Sequence, residues 1–343
     1  MSTRVDSTAL SAQLSGTSHV PVRIGVIGAG AFGLEHIKTL AALGEAQLVA
    51  IVDVNRNALT QAAAHAPDAV TYTDLDVAIK QANAQAWVIA TRTSSHVPIA
   101  ARLLQAGHAV LIEKPLAENL TAARSLGQWV KDDSSNLMLG HLVLFAPEFQ
   151  ELLKQIQTLG QVSYFHAVRH RPATLRTQFP EENPITLTMV HDLYLALALT
   201  AAKEPTALNA TLRANPKGGH DVAMANIHWP NGTWGAFTAS FLTPSGMPDD
   251  GYDRLEVFGQ GWAASLQLNP RPIQLWTDKA RWPRTLDIHH DLGLPSGWLA
   301  QQLRCFCHVV QGKAAVPLGA RYTDALMLMQ WLDQLQHSAG LTH

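Results

Sequence analysis

The chain has 343 residues, which at roughly 150 residues per domain predicts two domains. Hydrophobic residues make up 47% of it, charged residues 15%, and the formal net charge is −2. This composition excludes a disordered chain and a polybasic nucleic-acid-binding protein. Because no uninterrupted run of about 18 apolar residues occurs, we expect no membrane span. The two cysteines, Cys305 and Cys307, cannot form a disulfide framework, and the first twenty residues lack the apolar core of a signal peptide; a reducing, cytoplasmic location is expected.

Short β-branched runs alternate with helical stretches in the first half of the chain. Residues 1–20 are rich in Ser and Thr and are expected to form a flexible tail. The predicted strands between residues 21 and 145 are Arg23–Ile27, Leu48–Val52, Ala69–Tyr72, Ala86–Ala90, Ala109–Glu113 and Leu137–Leu139. Strands that alternate with helices are typical of a parallel sheet covered on both faces. We therefore predict a doubly wound Rossmann domain over 21–145.

The second half of the chain, 146–343, contains strand-like runs that mostly lack helices between them. The predicted strands are Val162–Arg169, Ala207–Leu212, Val222–His228, Gly235–Phe241, Leu255–Phe258 and Ala264–Leu268. Hairpin signals at Asn231-Gly232 and Gly259-Gln260-Gly261 favour an open, mostly antiparallel sheet. Three helices are predicted, at Leu187–Thr200, Gly297–Val310 and Arg321–Gln336, and the last two could pack back on the first domain.

A glycine-rich loop follows the first predicted strand and opens the first helix. Gly28, Gly30 and Gly33 fit the G-x-G-x-x-G pattern, with Ala31 and Phe32 inside it. Asp53 follows the next strand, 20 residues after Gly33, which is the spacing of an acid that contacts the ribose hydroxyls of a dinucleotide. Its carboxylate would repel a 2′-phosphate, although Arg56 could soften that preference. The sequence therefore predicts NAD as cofactor, with NADP as the alternative.

A lysine stands at the end of the fifth strand, in Glu113-Lys114-Pro115, where ligands of open α/β sheets bind. With the glycine loop, the Ile89–His96 turn, Gly140-His141 and the Thr323-Asp324-Ala325-Leu326 helix, it resembles the Gfo/Idh/MocA oxidoreductases over nearly the whole chain. The resemblance implies hydride transfer between a nicotinamide and a hydroxyl of a sugar, sugar nucleotide or cyclitol. It implies that Lys114 polarises the reacting oxygen and that His191 acts as general base.

The remaining candidate site residues are expected around the same crevice. The predicted cofactor-binding set comprises Gly28, Gly30, Ala31, Phe32, Gly33, Asp53, Arg56, Thr91, Arg92, His96, Glu113 and Lys114. The predicted substrate-binding residues are His141, Asp192, Tyr194 and Arg169. No metal is expected, since His166 and His170 on one strand would lie about 13 Å apart, and Cys305-x-Cys307-His308 lacks the second half of a zinc pattern.

The chain departs from the D-x-x-x-H-x-x-D pattern of the family around its histidine. Leu187 and Tyr194 stand where the two carboxylates usually occur. Because of this departure, the chain could instead be a dinucleotide-binding regulatory protein or a catalytically impaired family member. A different reductase chemistry on the same scaffold, such as imine or tetrapyrrole reduction, is a further alternative. The expected partners are a carbohydrate-like small molecule and further copies of the chain, as a homodimer or homotetramer through the second sheet. Trp229, Trp234 and Phe237 were the residues expected on that associating face, and neither nucleic acid nor a membrane is expected as a partner.

Overall fold

The computed structural model of the protein contains two six-stranded sheets. It describes residues 20–180, 182–244, 246–247, 251–268, 275–278, 280–281, 289–291 and 294–341. The predicted tail, residues 1–20, lies outside this range except for Val20. The strands of the first sheet are β1 Val22–Ile27, β2 Ala46–Val52, β3 Val70–Tyr72, β4 Ala86–Ile89, β5 Ala109–Glu113 and β6 Leu137–Gly140. They are all parallel, in the order β3-β2-β1-β4-β5-β6, which confirms the predicted Rossmann sheet.

Helices cover this sheet on both faces, as its apolar strands require. They are α1 Ala31–Ala42, α2 Arg56–Ala63, α3 Leu75–Gln81, α4 Thr93–Gln105 and α5 Leu120–Arg124, the last followed by a 3₁₀ turn at Ser125–Gln128. Side chains cap three of them: Asn55 accepts the Asn57 N–H at 2.9 Å, Asp74 accepts the Asp76 N–H at 2.7 Å and Asn119 accepts the Ala122 N–H at 2.9 Å. Helix α4 contains Pro98.

The second sheet follows a 3₁₀ turn, Leu142–Phe145, and helix α6, Pro147–Leu159. Its strands are β7 Val162–Pro172, β8 Ala207–Ala214, β9 His220–His228, β10 Trp234–Thr243, β11 Tyr252–Gly259 and β12 Trp262–Leu266. In the order β12-β11-β7-β10-β9-β8, only the central pair β7 and β10 is parallel. The sheet is thus mixed and mostly antiparallel, as predicted, and both predicted hairpins form.

The remaining elements connect the two halves. Between β7 and β8 lie α7 Leu175–Gln178, a π-helical turn Ile185–Met189 and α8 Val190–Leu199. After β12 come four short strands, β13 Leu275–Trp276, β14 Ala280–Arg281, β15 His289–Asp291 and β16 Leu294–Ser296. The last two helices are α9 Gly297–Val310 and α10 Tyr322–Ser338. Helix α9 reaches the first sheet through Arg304, whose Nε lies 2.6 Å from Glu45 Oε1. Helix α10 contacts both halves, since the Tyr322 hydroxyl donates to the Ala123 carbonyl at 2.9 Å and Ser338 accepts the Ala210 N–H at 2.8 Å.

The inner face of the second sheet packs against α8 and α10, and this packing corrects one expectation. Phe237 is 1% exposed and Trp229 is 2% exposed, with the Trp229 indole N–H donating to the Lys203 carbonyl at 3.1 Å. Both were expected on the associating face but belong to the core. Phe237 lies three residues after Trp234 on β10, so the two side chains point to opposite faces, and Trp229 lies in the turn after β9. Of the three, only Trp234 lies on the outer face. Over the described part of the chain, no helix has the length and apolarity needed to cross a bilayer.

Candidate active site

The loop between β1 and α1 shows three different uses of glycine. Gly28 has φ +97°, and a Cβ there would lie 2.4 Å from the Ala90 carbonyl oxygen. A Cβ on Gly33 would lie 2.0 Å from the Gly28 carbonyl oxygen, so this glycine permits the close packing of helix on strand. Gly30 has no atom within 4 Å of the position of a Cβ. Its backbone is therefore open to a ligand, as close approach of a pyrophosphate requires.

A cavity of about 770 Å³ lies along this loop at the carboxyl edge of the first sheet. Its wall contains the predicted cofactor-binding residues Gly28, Gly30, Ala31, Phe32, Asp53, Thr91 and Arg92. The N-terminus of α1 opens onto it, and its free N–H groups and helix dipole favour a phosphate there. Size, position and lining thus fit the adenosine and pyrophosphate part of a dinucleotide.

Three aspartates and two arginines make up the charged part of this cavity. Asp53 accepts the Ala29 N–H at 2.7 Å and the Asn55 N–H at 2.8 Å, so its carboxylate is fixed between the glycine loop and the start of α2. Asp74 and Asp76 line the same cavity, and Asp76 forms an ion pair with Arg102. Arg56, which could have accommodated a 2′-phosphate, is an exposed residue at the start of α2. This charge distribution fits NAD, which has free ribose hydroxyls, better than NADP.

His96 links the cofactor edge to the segment that follows the predicted catalytic lysine. It is 1% exposed. Its Nδ1 lies 2.8 Å from the Pro115 carbonyl oxygen and its Nε2 lies 3.1 Å from that of Thr91. Both ring nitrogens therefore face main-chain carbonyls. A direct contact of His96 with the dinucleotide stays a prediction, whereas its contacts hold the Thr91 turn against Pro115.

Lys114 follows the last residue of β5 and is half-buried. Burial lowers the pKa of its ammonium group, and the positive charge of Arg169 lowers it further. The carboxylates of Glu113 and Glu182 act in the opposite direction and favour the charged form. Glu182 was missed by the sequence reasoning, and no pattern in the sequence connects it with a lysine 68 positions earlier.

His191 lies in the first turn of α8 beside two other aromatic rings of the site. Its ring centroid is 5.5 Å from that of His141, and the His141 ring in turn lies against Tyr194. Burial, followed by the charges of Lys114 and Arg169, lowers the pKa of His191 well below its ordinary value, so its imidazole is neutral near pH 7. The charge of Lys114 also lowers the pKa of His141, after burial. The structure thus brings together three residues predicted from separate segments, Lys114, His141 and His191.

His141 is buried, at 1% exposed, and neither of its ring nitrogens has a hydrogen-bond partner among the described residues. Unpaired buried polar atoms are uncommon in proteins and call for a ligand or water. The location of His141 beside His191 fits its predicted role at the substrate end of the site.

A buried charge network holds the helix that carries His191. The Arg169 guanidinium donates to both Asp192 oxygens, with Nη2 to Oδ1 at 2.8 Å, and to Asp253 Oδ2 at 2.6 Å. Arg171 Nη2 donates to Asp253 at 2.9 Å. These two carboxylates raise the pKa of Arg169 against the effect of burial, whereas burial raises the pKa of Asp192. Arg169 and Asp192 were predicted to bind substrate, yet their polar atoms contact each other and anchor α8 on β7.

The position that distinguishes this chain from the D-x-x-x-H pattern lies in the π-helical turn before α8. Leu187 is half-buried there, four residues before His191. Asp192 does not replace the missing acid, because its carboxylate is bound to Arg169. Tyr194 is 2% exposed, and burial raises the pKa of its hydroxyl, so it is a neutral group at the site.

No cluster of three or more metal-binding side chains was found within the described residues. Cys305 and Cys307 have free thiols on α9, and burial raises the pKa of both.

Comparison with known proteins agrees with this geometry. Residues 22–141 match the profile of an oxidoreductase family with an NAD-binding Rossmann fold, Gfo/Idh/MocA, and residues 149–263 match the C-terminal domain of the same family. Inositol 2-dehydrogenase 2 of Saccharopolyspora erythraea is 32% identical over 56% of this chain and 58% of its own length, so the match spans less than two thirds of that relative. UDP-N-acetylglucosamine 3-dehydrogenase of Acidithiobacillus ferrooxidans is 31% identical over 75% of this chain and 77% of its own length.

Solved structures show the same fold. GenD2 from gentamicin A biosynthesis, crystallised in complex with NAD, superposes with a TM-score of 0.77 over 95% of this chain and 96% of its own, at 23% identity. A putative myo-inositol dehydrogenase from Sinorhizobium meliloti gives the same TM-score at 24% identity, over 93% and 97% of the two chains. The chain matches two successive family profiles and a relative over three quarters of its length, and its cavity is suited to a dinucleotide. The chain therefore belongs to the Gfo/Idh/MocA family of oxidoreductases and has its NAD-binding Rossmann domain.

Proposed function

We propose that the protein is an NAD-dependent dehydrogenase that acts on a hydroxyl group of a cyclitol, sugar or sugar nucleotide. The observation that carries this proposal is the proximity of Lys114 to His191: the lysine charge is close enough to lower the pKa of the histidine. Both residues lie at the edge of the sheet that also forms the dinucleotide cavity. The printed names of two relatives, an inositol dehydrogenase and a UDP-N-acetylglucosamine dehydrogenase, support the substrate class.

The chain's own residues can perform the proton chemistry of such a reaction. Bound NAD supplies the acceptor for the hydride that leaves the substrate carbon. The neutral His191 imidazole takes the hydroxyl proton, and because its pKa is lowered it is in this base form at neutral pH. The Lys114 ammonium donates a hydrogen bond to the same oxygen and stabilises the negative charge that develops as the proton leaves. In the reverse direction His191, once protonated, returns the proton to the carbonyl oxygen.

We assign different roles to the residues predicted at the substrate end of the site. His141 offers unpaired ring nitrogens to a hydroxylated ligand, and Tyr194 packs against it. Arg169 and Asp192 act as positioning residues, because the ion pair between them fixes the helix that carries His191. The alternative of a catalytically impaired, dinucleotide-binding regulatory protein is favoured by Leu187, which leaves His191 without the usual carboxylate.

The Lys114→Ala variant tests the proposal. A substrate is first found in a panel of inositols, sugars and UDP-N-acetylglucosamine by measuring NAD reduction, and we expect its turnover to fall about 100- to 1,000-fold in the variant. NAD binding should be retained, because Lys114 is not among the residues that line the dinucleotide cavity. Lys154→Ala, a 76% exposed lysine side chain on α6, is the matched control and should turn over normally. Unchanged turnover in Lys114→Ala would remove the lysine from the mechanism. Tight NAD binding by the wild type, with no turnover of any panel member, would instead support the regulatory alternative.

Self-association through the second sheet and a cytoplasmic location complete the proposal. Trp234, Met224, Phe258 and Tyr164 leave 56, 55, 39 and 37% of their surface exposed on the outer face of this sheet. Large apolar side chains left exposed together on one sheet face are typical of a protein interface. The free thiols of Cys305 and Cys307 support a reducing compartment.

A further inference from the structure

We propose that His36 is a positioning residue that acts on Lys114 through Glu113. The inference rests on the proposed function, because it assigns to Lys114 the role of polarising the reacting oxygen. Sequence reasoning did not single out His36, which lies three residues after the last glycine of the loop.

The contact between His36 and Glu113 is short and partly buried. His36 lies on α1 with a fully buried side chain, and its Nε2 is 2.9 Å from Glu113 Oε1. To donate to a carboxylate, Nε2 must carry the proton. The other nitrogen, Nδ1, has no partner within the described chain. The hydrogen bond of this buried imidazole is therefore directed at Glu113.

The neighbouring strand leaves room for the carboxylate. Glu113, the last residue of β5, is paired in register with Gly140 of β6. A Cβ at position 140 would lie 2.6 Å from Glu113 Oε1. Any larger residue at Gly140 would displace the Glu113 carboxylate, so His36 on one side and Gly140 on the other define its position.

The same histidine also borders the cofactor cavity. The Phe32 ring meets the His36 ring edge-on, with centroids 5.2 Å apart, and Phe32 lines the cavity. His36 thus lies between the wall of the cofactor site and the glutamate next to Lys114. A hydrogen bond across these elements fixes the end of β5 relative to the helix that opens at the dinucleotide.

Glu113 in turn affects the charge of Lys114. Burial lowers the pKa of Lys114, and the Glu113 carboxylate is the strongest of the groups that oppose this effect. The effect of the Glu113 carboxylate on Lys114 depends on the distance between the two charges, and the His36 hydrogen bond holds the carboxylate in place. Loss of the His36 donor should therefore weaken the support that Glu113 gives to the charged ammonium.

Three variants and one matched control test this proposal. His36→Leu removes the donor but keeps an apolar side chain, His36→Gln keeps an N–H at similar reach, and Glu113→Gln removes the charge. His108→Gln is the control: His108 precedes the opposite end of β5, is half-buried and packs edge-on against Trp87 at 6.2 Å. We expect His36→Leu to lower kcat about 10- to 100-fold, the range that misplacement of a catalytic group produces, with the KM for NAD changed less than about twofold. His36→Gln should recover most of the lost kcat, and His108→Gln should match the wild type.

A second measurement follows Lys114 without any substrate. Lysines methylated with isotope-labelled formaldehyde are titrated by NMR in the full chain with NAD bound, and the Lys114 signal is identified by its absence in Lys114→Arg. The Lys114 pKa should fall in Glu113→Gln and, to a smaller extent, in His36→Leu. An unchanged kcat in His36→Leu, an unchanged Lys114 pKa, or equal loss of kcat in the Leu and Gln variants would overturn the proposal. If the wild type turns over no substrate, the proposed function fails, and the titration still decides the role of His36.

Discussion

At the scale of single residues, the proposed base His191 departs from the family pattern, because nothing acidic stands four positions before it. Its pKa lies well below the ordinary value through burial and the charges of Lys114, Arg169 and His141. A base acts only in its neutral form, so activity should persist in the wild type as the pH falls below about 6.5, the usual histidine value.

The Leu187→Asp variant tests the effect of the missing carboxylate. A negative charge near His191 favours the imidazolium and raises its pKa, so the variant should lose kcat/KM at higher pH than the wild type. We expect the acidic limb of the profile of kcat/KM against pH to move upward by about one unit. Leu187→Asn, which is polar but uncharged, is the control and should keep the limb of the wild type. If both variants move the limb equally, or neither moves it, the charge at position 187 does not act on His191.

The individual site residues differ in how far the sequence could predict them. Lys114 and Asp53 were predictable because each occurs in a motif whose backbone geometry fixes its place at the sheet edge. His36 was not, because its role depends on the partner that reaches it across two elements. The Arg169 and Asp192 side chains were predicted to bind substrate, but the sequence could not show that they bind each other.

At the scale of the elements, two glycines of the loop between β1 and α1 are expected to act separately, one on the stability of the fold and the other on NAD binding. A Cβ on Gly33 would overlap the Gly28 carbonyl, whereas one on Gly30 would meet only open space at the cavity. Gly33→Ala should therefore lower Tm by roughly 5–10 °C. Gly30→Ala should keep Tm near that of the wild type and raise the Kd for NAD about tenfold or more, because the methyl group occupies the approach of the pyrophosphate.

Calorimetry and NAD titration measure the two effects. Gly44→Ala, in the turn before β2 with no atom within 4 Å of its Cβ position, is the control for both. Equal NAD affinity in Gly30→Ala and the wild type would show that the pyrophosphate does not cross this glycine.

Elements with a clear pattern of apolar residues were predicted from the sequence, whereas elements whose form depends on tertiary contacts were not. The six strands of the first sheet were predictable, since buried parallel strands are continuous apolar runs between helices. Helix α6 was missed, although Pro147 at its first position is a start signal. The parallel pairing of β7 with β10 could not be read from the sequence, because 61 residues separate the end of one strand from the start of the other. The π-helical turn was likewise predicted only as ordinary helix.

At the scale of the whole molecule, the proposed self-association depends on the outer face of the second sheet. Register places Phe258, Tyr164, Trp234 and His228 in one row across β11, β7, β10 and β9. The Tyr164 and Phe258 rings stack at 5.8 Å, and the His228 and Trp234 rings stack at 4.0 Å. The opposite face of the same strands carries buried residues such as Phe165 and Phe237. An aromatic row on the solvent side has no role in the core, and a second copy of the sheet would cover it.

The Trp234→Glu variant tests this association. A stable interface buries about 1,200–2,000 Å² in total, and a charge at its centre would be desolvated without a partner, which costs several kcal/mol. We expect light scattering to give the mass of an oligomer for the wild type at micromolar concentration and the mass of a monomer for the variant. Trp276→Glu, at a tryptophan that is 74% exposed outside this sheet, should leave the oligomer intact. A monomeric wild type would contradict the prediction, and loss of the oligomer in both variants would place the interface elsewhere. Because the dinucleotide cavity lies on the first sheet, NAD affinity should be the same in all three proteins.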